Sequence, residues 1–592
     1  MRKMSVICLL FVALMTACNI NEPQNDPITY GETYIPHLLS TDKACYQPGE
    51  VVRLSINKLP DTAVRVRYQH LGKTISEEAV TSLEWTWQPP TEDFRGYMAE
   101  LHTTIDGRDT VYAAVGIDVS SDAARFPRNG FLSYYGSLSE REIQAVIADL
   151  NRYHINYVQF QDWHWKHHHP LGGSAVQPME VWTDILSRNC YRSSVQGYID
   201  AAHQRGMMTL FYNLAYGALE DYESDGVSRE WLLYTDKNHR TPDYHPLTSP
   251  FKSSIYLTNT ENADWRAFLS ERTDEVYAVF NFDGWQIDQL GDRLIPVYDY
   301  SGRQVDLAGS FGSFISYMKA QQPTKRIVMN SVGQYGQQGQ IASAPVDFCY
   351  TEVWQHSDEN GYDIFRDIIT KNADWSAGKQ TVLAAYLNYD YGQKGRGWFN
   401  TPGIVMATAA SMAWGGTILQ LGEHMLCHEY FPGDNLSMTG ELKRAMIAYY
   451  DFTVAYENLL RPDVPAAGVN TDWYGVDVTG SDTVRFNQWA PVRGQIATIG
   501  RHVGERDVIH MLSYRNATHL DWCDTNADQG EPDMLRDLSI RVSASKRPAR
   551  VWAASPDVAQ GAAFELEFEY ADGEVQLVLP AIKYYSMLVF EY

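Results

Sequence analysis

The chain has 592 residues, 44% of them apolar, and a formal net charge of −25. That length exceeds what one hydrophobic core holds, so two or three domains are expected. So acidic a chain would repel phosphate backbones, which argues against nucleic-acid binding. Its 16 Trp and 38 Tyr suit either ring stacking on sugars or the packing of a large barrel.

Arg2 and Lys3 precede a short apolar run, Val6 to Met15, and small residues then lead to Cys18. This predicts a secretion signal, because the run is too short to span a bilayer. The string LMTAC is similar to a bacterial lipoprotein box. Residues 1–17 are therefore expected to be removed and Cys18 to carry lipid, the chain's only tie to a membrane. That places the protein in the cell envelope; cleavage of an ordinary secreted protein is the alternative. Residues 18–30 are polar and Pro-containing, as in a tether.

From 31 to 120 short alternating runs (VVRLSIN, AVRVRYQH, YMAELHTTI, VYAAVGIDV) are separated by turn residues, which predicts an Ig-like β-sandwich. Ser139 and Glu142 then form a capping box. Ile143, Val146, Ile147 and Leu150 follow at helical spacing. Across 121–457 helices alternate with eight buried strand candidates: INYVQF, MTLFYN, IYLTN, DGWQID, RIVMNS, DFCYTE, VLAAYL and GTILQL. The pattern predicts a (β/α)8 barrel. An open doubly wound sheet is the alternative, but no Gly-rich phosphate fingerprint follows the first strand. Strand-like runs return over 458–592 and predict a second, C-terminal β-sandwich. Beyond the signal, Cys45, Cys190, Cys349, Cys427 and Cys523 are dispersed, neither a disulfide framework nor a zinc site.

Barrel enzymes place their chemistry at the C-terminal strand ends. Those ends offer Asp162, Trp163 and His164; Tyr212, Asn213 and Tyr216; Asp288; Glu352 and Trp354; Tyr386 and Asn388; and Glu423. Acids, amides and aromatics together suit a neutral polyhydroxylated ligand. Asp288 shares strand parity with Gln286 and faces the site, whereas Asp283 opens the strand and Asp292 lies beyond it. Asp288 as nucleophile and Glu352 as general acid/base satisfy the two-carboxylate requirement of a retaining glycosidase, provided that Glu352 keeps a proton near neutrality. His164, His167, His168 and His169 do not make a metal site, since three consecutive histidines cannot face one ion. They and Lys166 are expected to line the sugar groove or meet solvent. No metal or cofactor is expected.

The strings QFQDWHWKHHHP from Gln159, LFYNLAYGA from Leu210, FDGWQIDQLGDR from Phe282 and YTEVW from Tyr350 resemble glycoside hydrolase family 66, the family of dextranases and cycloisomaltooligosaccharide glucanotransferases. The resemblance extends to the order of sandwich, barrel and sandwich, and so spans nearly the whole mature chain. It implies a retaining endo-acting enzyme on dextran and isomalto-oligosaccharides. It puts the nucleophile on Asp288 and the acid/base on Glu352, and it has Asp162, Tyr212, Asn213, Tyr216 and Trp354 contacting glucosyl units. Transferases of the family carry an extra carbohydrate-binding module for which this chain has no room, which favours a dextranase. The alternatives are a glucanotransferase making cyclic or elongated products, and a non-catalytic glycan-binding lipoprotein that has lost one acid.

Overall fold

The computed structural model describes residues 37–354, 361–419, 436–461 and 472–592. The secretion signal, Cys18, the tether, Cys427 and Glu423 lie outside the described residues. No described helix is long and apolar enough to cross a membrane.

Alternation drives the N-terminal part. In Val52–Ile56 the residues Val52, Leu54 and Ile56 are buried while Arg53 and Ser55 are exposed. That strand lies between Leu39–Thr41 and Glu84–Trp87 in a three-stranded sheet. A four-stranded sheet runs Lys73–Val80, Val64–His70, Arg95–Ile105, Arg108–Val119. Val52, Leu54, Val66, Leu101 and Val115 share one core between the two sheets.

The central sheet is a nearly closed parallel barrel of eight strands in sequential order: β1 (Asn129–Leu132), β2 (Tyr157–Phe160), β3 (Met208–Leu214), β4 (Gly284–Asp288), β5 (Arg326–Val332), β6 (Cys349–Val353), β7 (Thr381–Ala385) and β8 (Thr417–Ile418). The last strand is tied to the first by Thr417 Oγ1, which donates to the Pro127 carbonyl at 3.1 Å. The expected capping box is present, with Ser139 and Glu142 satisfying each other's backbone N–H at the start of helix Glu140–Arg152.

One strand assignment from sequence is corrected. IYLTN is not a barrel strand. Its Ile255–Tyr256 pairs with Tyr244–His245 in a small antiparallel ladder. The true β1 is NGFL, four buried residues with no alternation to betray them. The two errors cancel, so Asp288 still ends the fourth strand and Glu352 still lies on the sixth.

C-terminal strands form a seven-stranded and a four-stranded sheet over a core that includes Ile496, Ile509, Val542, Leu579 and Phe590. The four described cysteines beyond the signal are buried and form no disulfide among the described residues. Barrel and N-terminal sandwich are pinned by Asp451 of helix Gly440–Ala455. Its carboxylate accepts from Arg152 Nη1 and Nη2 (3.0 and 2.7 Å), His154 Nε2 (2.8 Å) and the Gly116 N–H (3.0 Å). Burial alone would raise this carboxyl, but Arg152 and His154 outweigh it and hold it below the usual range. Asp451→Asn leaves Arg152 buried without a counter-charge. It is expected to cost about 3–5 kcal/mol, read as a lower urea midpoint.

Candidate active site

Inward-facing residues of the barrel strands open at their C-terminal ends into one cavity of about 320 Å³. Phe131, Tyr157, Val328 and Phe348 fill the barrel interior with apolar side chains. Polar groups line the cavity: Gln159, Gln161, Asp162, Tyr212, Gln286, Asp288, Asn330, Glu352 and Tyr386. Strand register explains the convergence. Tyr212 stands opposite Gln286, Val332 opposite Glu352, and Glu352 opposite Ala384, all lining the cavity.

The two acids are joined by one amide. Asn330 Nδ2 donates to Asp288 Oδ1 at 2.8 Å and to Glu352 Oε2 at 2.7 Å. Laid end to end, those distances put the two carboxylate oxygens at most 5.5 Å apart. Asp288 also accepts from Tyr212 Oη at 2.7 Å and from the Gln289 N–H at 2.8 Å. Glu352 accepts in addition from Tyr386 Oη at 3.3 Å and from the Trp354 side chain. Both acids are partly open to the cavity.

Burial and the neighbouring charge, more than the number of donors, divide the two acids. Burial raises the Asp288 carboxyl, but Tyr212, Asn330 and the Gln289 N–H each favour its ionised form. Glu352 is pushed up to about 8, first by burial and then by the neighbouring charge of Asp288. At neutral pH Asp288 is therefore the carboxylate and Glu352 the acid. Asp162 is a third acid at the cavity wall, in a left-handed backbone conformation (φ 52°) and 1% exposed. Burial pushes it to about 8, with Asp184 and Asp288 adding to the rise against Arg188.

Five lining residues carry a buried polar atom without a protein partner: Gln159 Oε1, Asp162 Oδ2, His167 Nε2, Gln286 Oε1 and Asn330 Oδ1. Buried polar atoms are rarely left unpaired, so several at one cavity mark where a ligand's hydroxyls belong. Trp354 and Tyr386 supply a flat wall, stacked at 4.4 Å.

Of the residues read from sequence, Asp162, Tyr212, Asp288, Glu352, Trp354 and Tyr386 meet at this cavity. Four others do not, one of them, Asn213, because of strand alternation. Trp163 follows Asp162 and points away, into a cluster with Trp182, Phe211, Phe280 and Phe282. Asn213 follows the inward Tyr212 and holds the His167 carbonyl through Nδ2 at 2.9 Å. Tyr216 is buried beneath the loop after β4, where its hydroxyl accepts from the Leu290 N–H. Asn388 reaches the C-terminal sandwich, donating from Nδ2 to the Asp524 carbonyl at 2.7 Å. Of the histidine run only His167 lines the cavity; His168 and Lys166 are buried. Lys166 Nζ lies 2.6 Å from both Asp221 and Asp225, and His168 Nε2 is 2.7 Å from Asp225, so an ammonium already supplies the positive charge these acids need. Asn330 and Gln286 were passed over. Both stand on the inward parity of the RIVMNS and DGWQID strands, which was the available signal.

A parallel barrel whose strand ends bring two acids onto one donor, inside a cavity with unpaired polar atoms, defines an enzyme that hydrolyses or transfers glycosidic bonds. The chain belongs to glycosyl hydrolase family 66, whose profile matches residues 41–589. It is 24% identical to a cycloisomaltooligosaccharide glucanotransferase of Niallia circulans over 754 aligned positions, covering 99% of this chain and 75% of that enzyme. It is 23% identical to a dextranase of Streptococcus salivarius, covering 75% of this chain and 60% of that protein. The crystal structure of a Paenibacillus sp. cycloisomaltooligosaccharide glucanotransferase complexed with cycloisomaltoheptaose shares the fold, with a TM-score of 0.84 at 24% identity over 94% of this chain and 99% of that one.

Proposed function

We propose that this protein is a retaining endo-dextranase, hydrolysing α-1,6-glucosidic bonds in dextran to isomalto-oligosaccharides. The observation that carries the reading is the pair of acids on Asn330. A separation of at most 5.5 Å leaves no room for a water between acid and sugar, which an inverting enzyme needs, and matches direct attack by one carboxylate. Asp288 attacks the anomeric carbon while Glu352 gives its proton to the leaving oxygen. A covalent glucosyl-enzyme forms at Asp288. Glu352, now ionised, takes a proton from water as the water oxygen attacks C1 from the face the leaving group occupied, breaking the bond to Asp288, freeing its carboxylate and retaining the α configuration. The unpaired atoms of Gln159, Asp162 and Gln286 pair with glucosyl hydroxyls, and Trp354 with Tyr386 offers a face for stacking.

Transfer to a sugar hydroxyl in place of water is the second reading, supported by two relatives named as glucanotransferases. Against it, the alignment to one of them runs to 754 positions, 162 more than the 592 residues here (754 − 592), so that enzyme carries stretches with no counterpart in this chain. Dextran incubated with the protein and resolved by size is expected to yield linear isomalto-oligosaccharides; cyclic or lengthened products would replace the dextranase reading with the transferase one. For location, the proposal is export with acylation of Cys18. Labelling of the cells with a radioactive fatty acid is expected to mark the protein and to leave Cys18→Ala unmarked.

A further inference from the structure

A second, much smaller cavity of about 30 Å³ lies at the other end of the barrel. It has room for one or two water-sized particles. Thr381 opens β7, Trp414 and Gly415 precede β8, Arg461 follows the last barrel helix, and Trp473 and Arg501 come from the C-terminal sheet.

Beside apolar residues such as Ile369 and Ala373, the wall carries several donors. Arg461 is 2% exposed and Arg501 4%. One nitrogen of each is satisfied by a carbonyl: Arg461 Nη1 by Pro127 at 3.0 Å, Arg501 Nη1 by Leu460 at 3.1 Å. Arg461 Nε and Nη2, Arg501 Nε, Trp414 Nε1 and Thr381 Oγ1 are buried without a partner. Guanidinium and indole groups can only donate. Apart from the Thr381 hydroxyl, a water placed among them would find no acceptor in this set for its own hydrogens.

Charge points the same way. Nearby Arg128 takes up Asp118 at 2.6 Å and Glu457 at 3.4 Å. Asp118 and Glu457 act on Arg461, and Asp472 acts on Arg501, through space. Among the described residues no carboxylate lines the cavity. Burial presses Arg461 toward about 9 and Arg501 toward about 10. Guanidinium groups stay protonated in proteins, so the conflict calls for a counter-charge.

We infer that this cavity binds chloride, held by Arg461, Arg501, Trp414 and Thr381, and that the ion clamps the floor of the barrel to the C-terminal sandwich. Its size excludes the larger oxyanions. The site lies apart from the catalytic cavity and does not depend on the function proposed above.

Crystals of the protein grown in sodium bromide, measured at the bromine absorption edge, are expected to show an anomalous peak between Arg461 and Arg501. Thermal unfolding in sodium chloride against sodium gluconate at equal ionic strength is expected to show a saturable rise in Tm, on the order of 2 °C. Thr381→Val removes one uncharged donor with little change of shape, and is expected to raise the chloride midpoint on the order of 10-fold. Arg501→Met is expected to abolish the saturable rise. Absence of the bromide peak together with equal unfolding in the two salts overturns the proposal. So does a chloride response whose midpoint Thr381→Val leaves unmoved.

Discussion

Asp288→Asn is expected to lower kcat on dextran by about 10⁴-fold or more, because the proposed mechanism makes this carboxylate the attacking group. Asparagine keeps the shape of the site, and its amide still meets the Tyr212 hydroxyl and the Asn330 amide, so the protein should fold with unchanged stability. Glu352→Gln is expected to lose about 10²–10⁴-fold, the range for a general acid. The two variants separate on an activated substrate. A glucosyl fluoride needs no proton to leave, so Glu352→Gln should still form the covalent intermediate and Asp288→Asn should not. Mass spectrometry of the trapped protein reads the difference. If Asp288→Asn turns over dextran at near-native rates, the nucleophile assignment fails.

The second large effect falls on Asn330. One NH2 group serves both acids, so Asn330→Ala removes a donor from each. Loss of one preorganised donor in such a site is expected to cost about 10²–10³-fold in kcat. The pH profile carries the more specific signature. On the proposed mechanism activity needs Asp288 ionised and Glu352 protonated, so the profile is expected to be a bell whose alkaline limb falls near pH 8 as Glu352 loses its proton. A donor to a carboxylate favours the ionised form. Without Asn330 both carboxyls rise, and both limbs should move to higher pH together. A residue that merely supported the fold would lower the rate without moving the limbs. The measurement is kcat/KM on dextran across pH, with Asn330→Asp as a companion variant in which a third acid replaces the donor.

Much of this arrangement was legible from strand periodicity. The DGWQID run ends on Asp288 with its inward parity readable from Gln286, and YTEVW puts Tyr350, Glu352 and Trp354 on one face. What failed was the treatment of neighbours. Taking Tyr212 with Asn213 as joint site residues ignores that consecutive strand residues face opposite ways, whereas Asp162 and Trp163 lie beyond the end of β2 and part at the left-handed backbone of Asp162. The first member of each pair lines the cavity and the second packs behind it. β1 is hidden because four buried residues carry no alternation, whereas IYLTN looks like a barrel strand but forms a small ladder whose His245 and Ile255 line the cavity. Asn388 looked like a sugar ligand because no local pattern shows that its partner, Asp524, lies 136 residues further on.

That last contact has a wider consequence. The Asn388 N–H donates to the Cys523 carbonyl at 2.7 Å, and its side chain and Asn400 both hold Asp524. Two residues before Asn388 stands Tyr386, whose hydroxyl reaches Glu352. The C-terminal sandwich thus serves as a splint for the segment that steadies Glu352. It is no exchangeable cassette: a chimera that swaps this domain would have to import the 519–529 loop in matching form, or arrive with its acid unsupported.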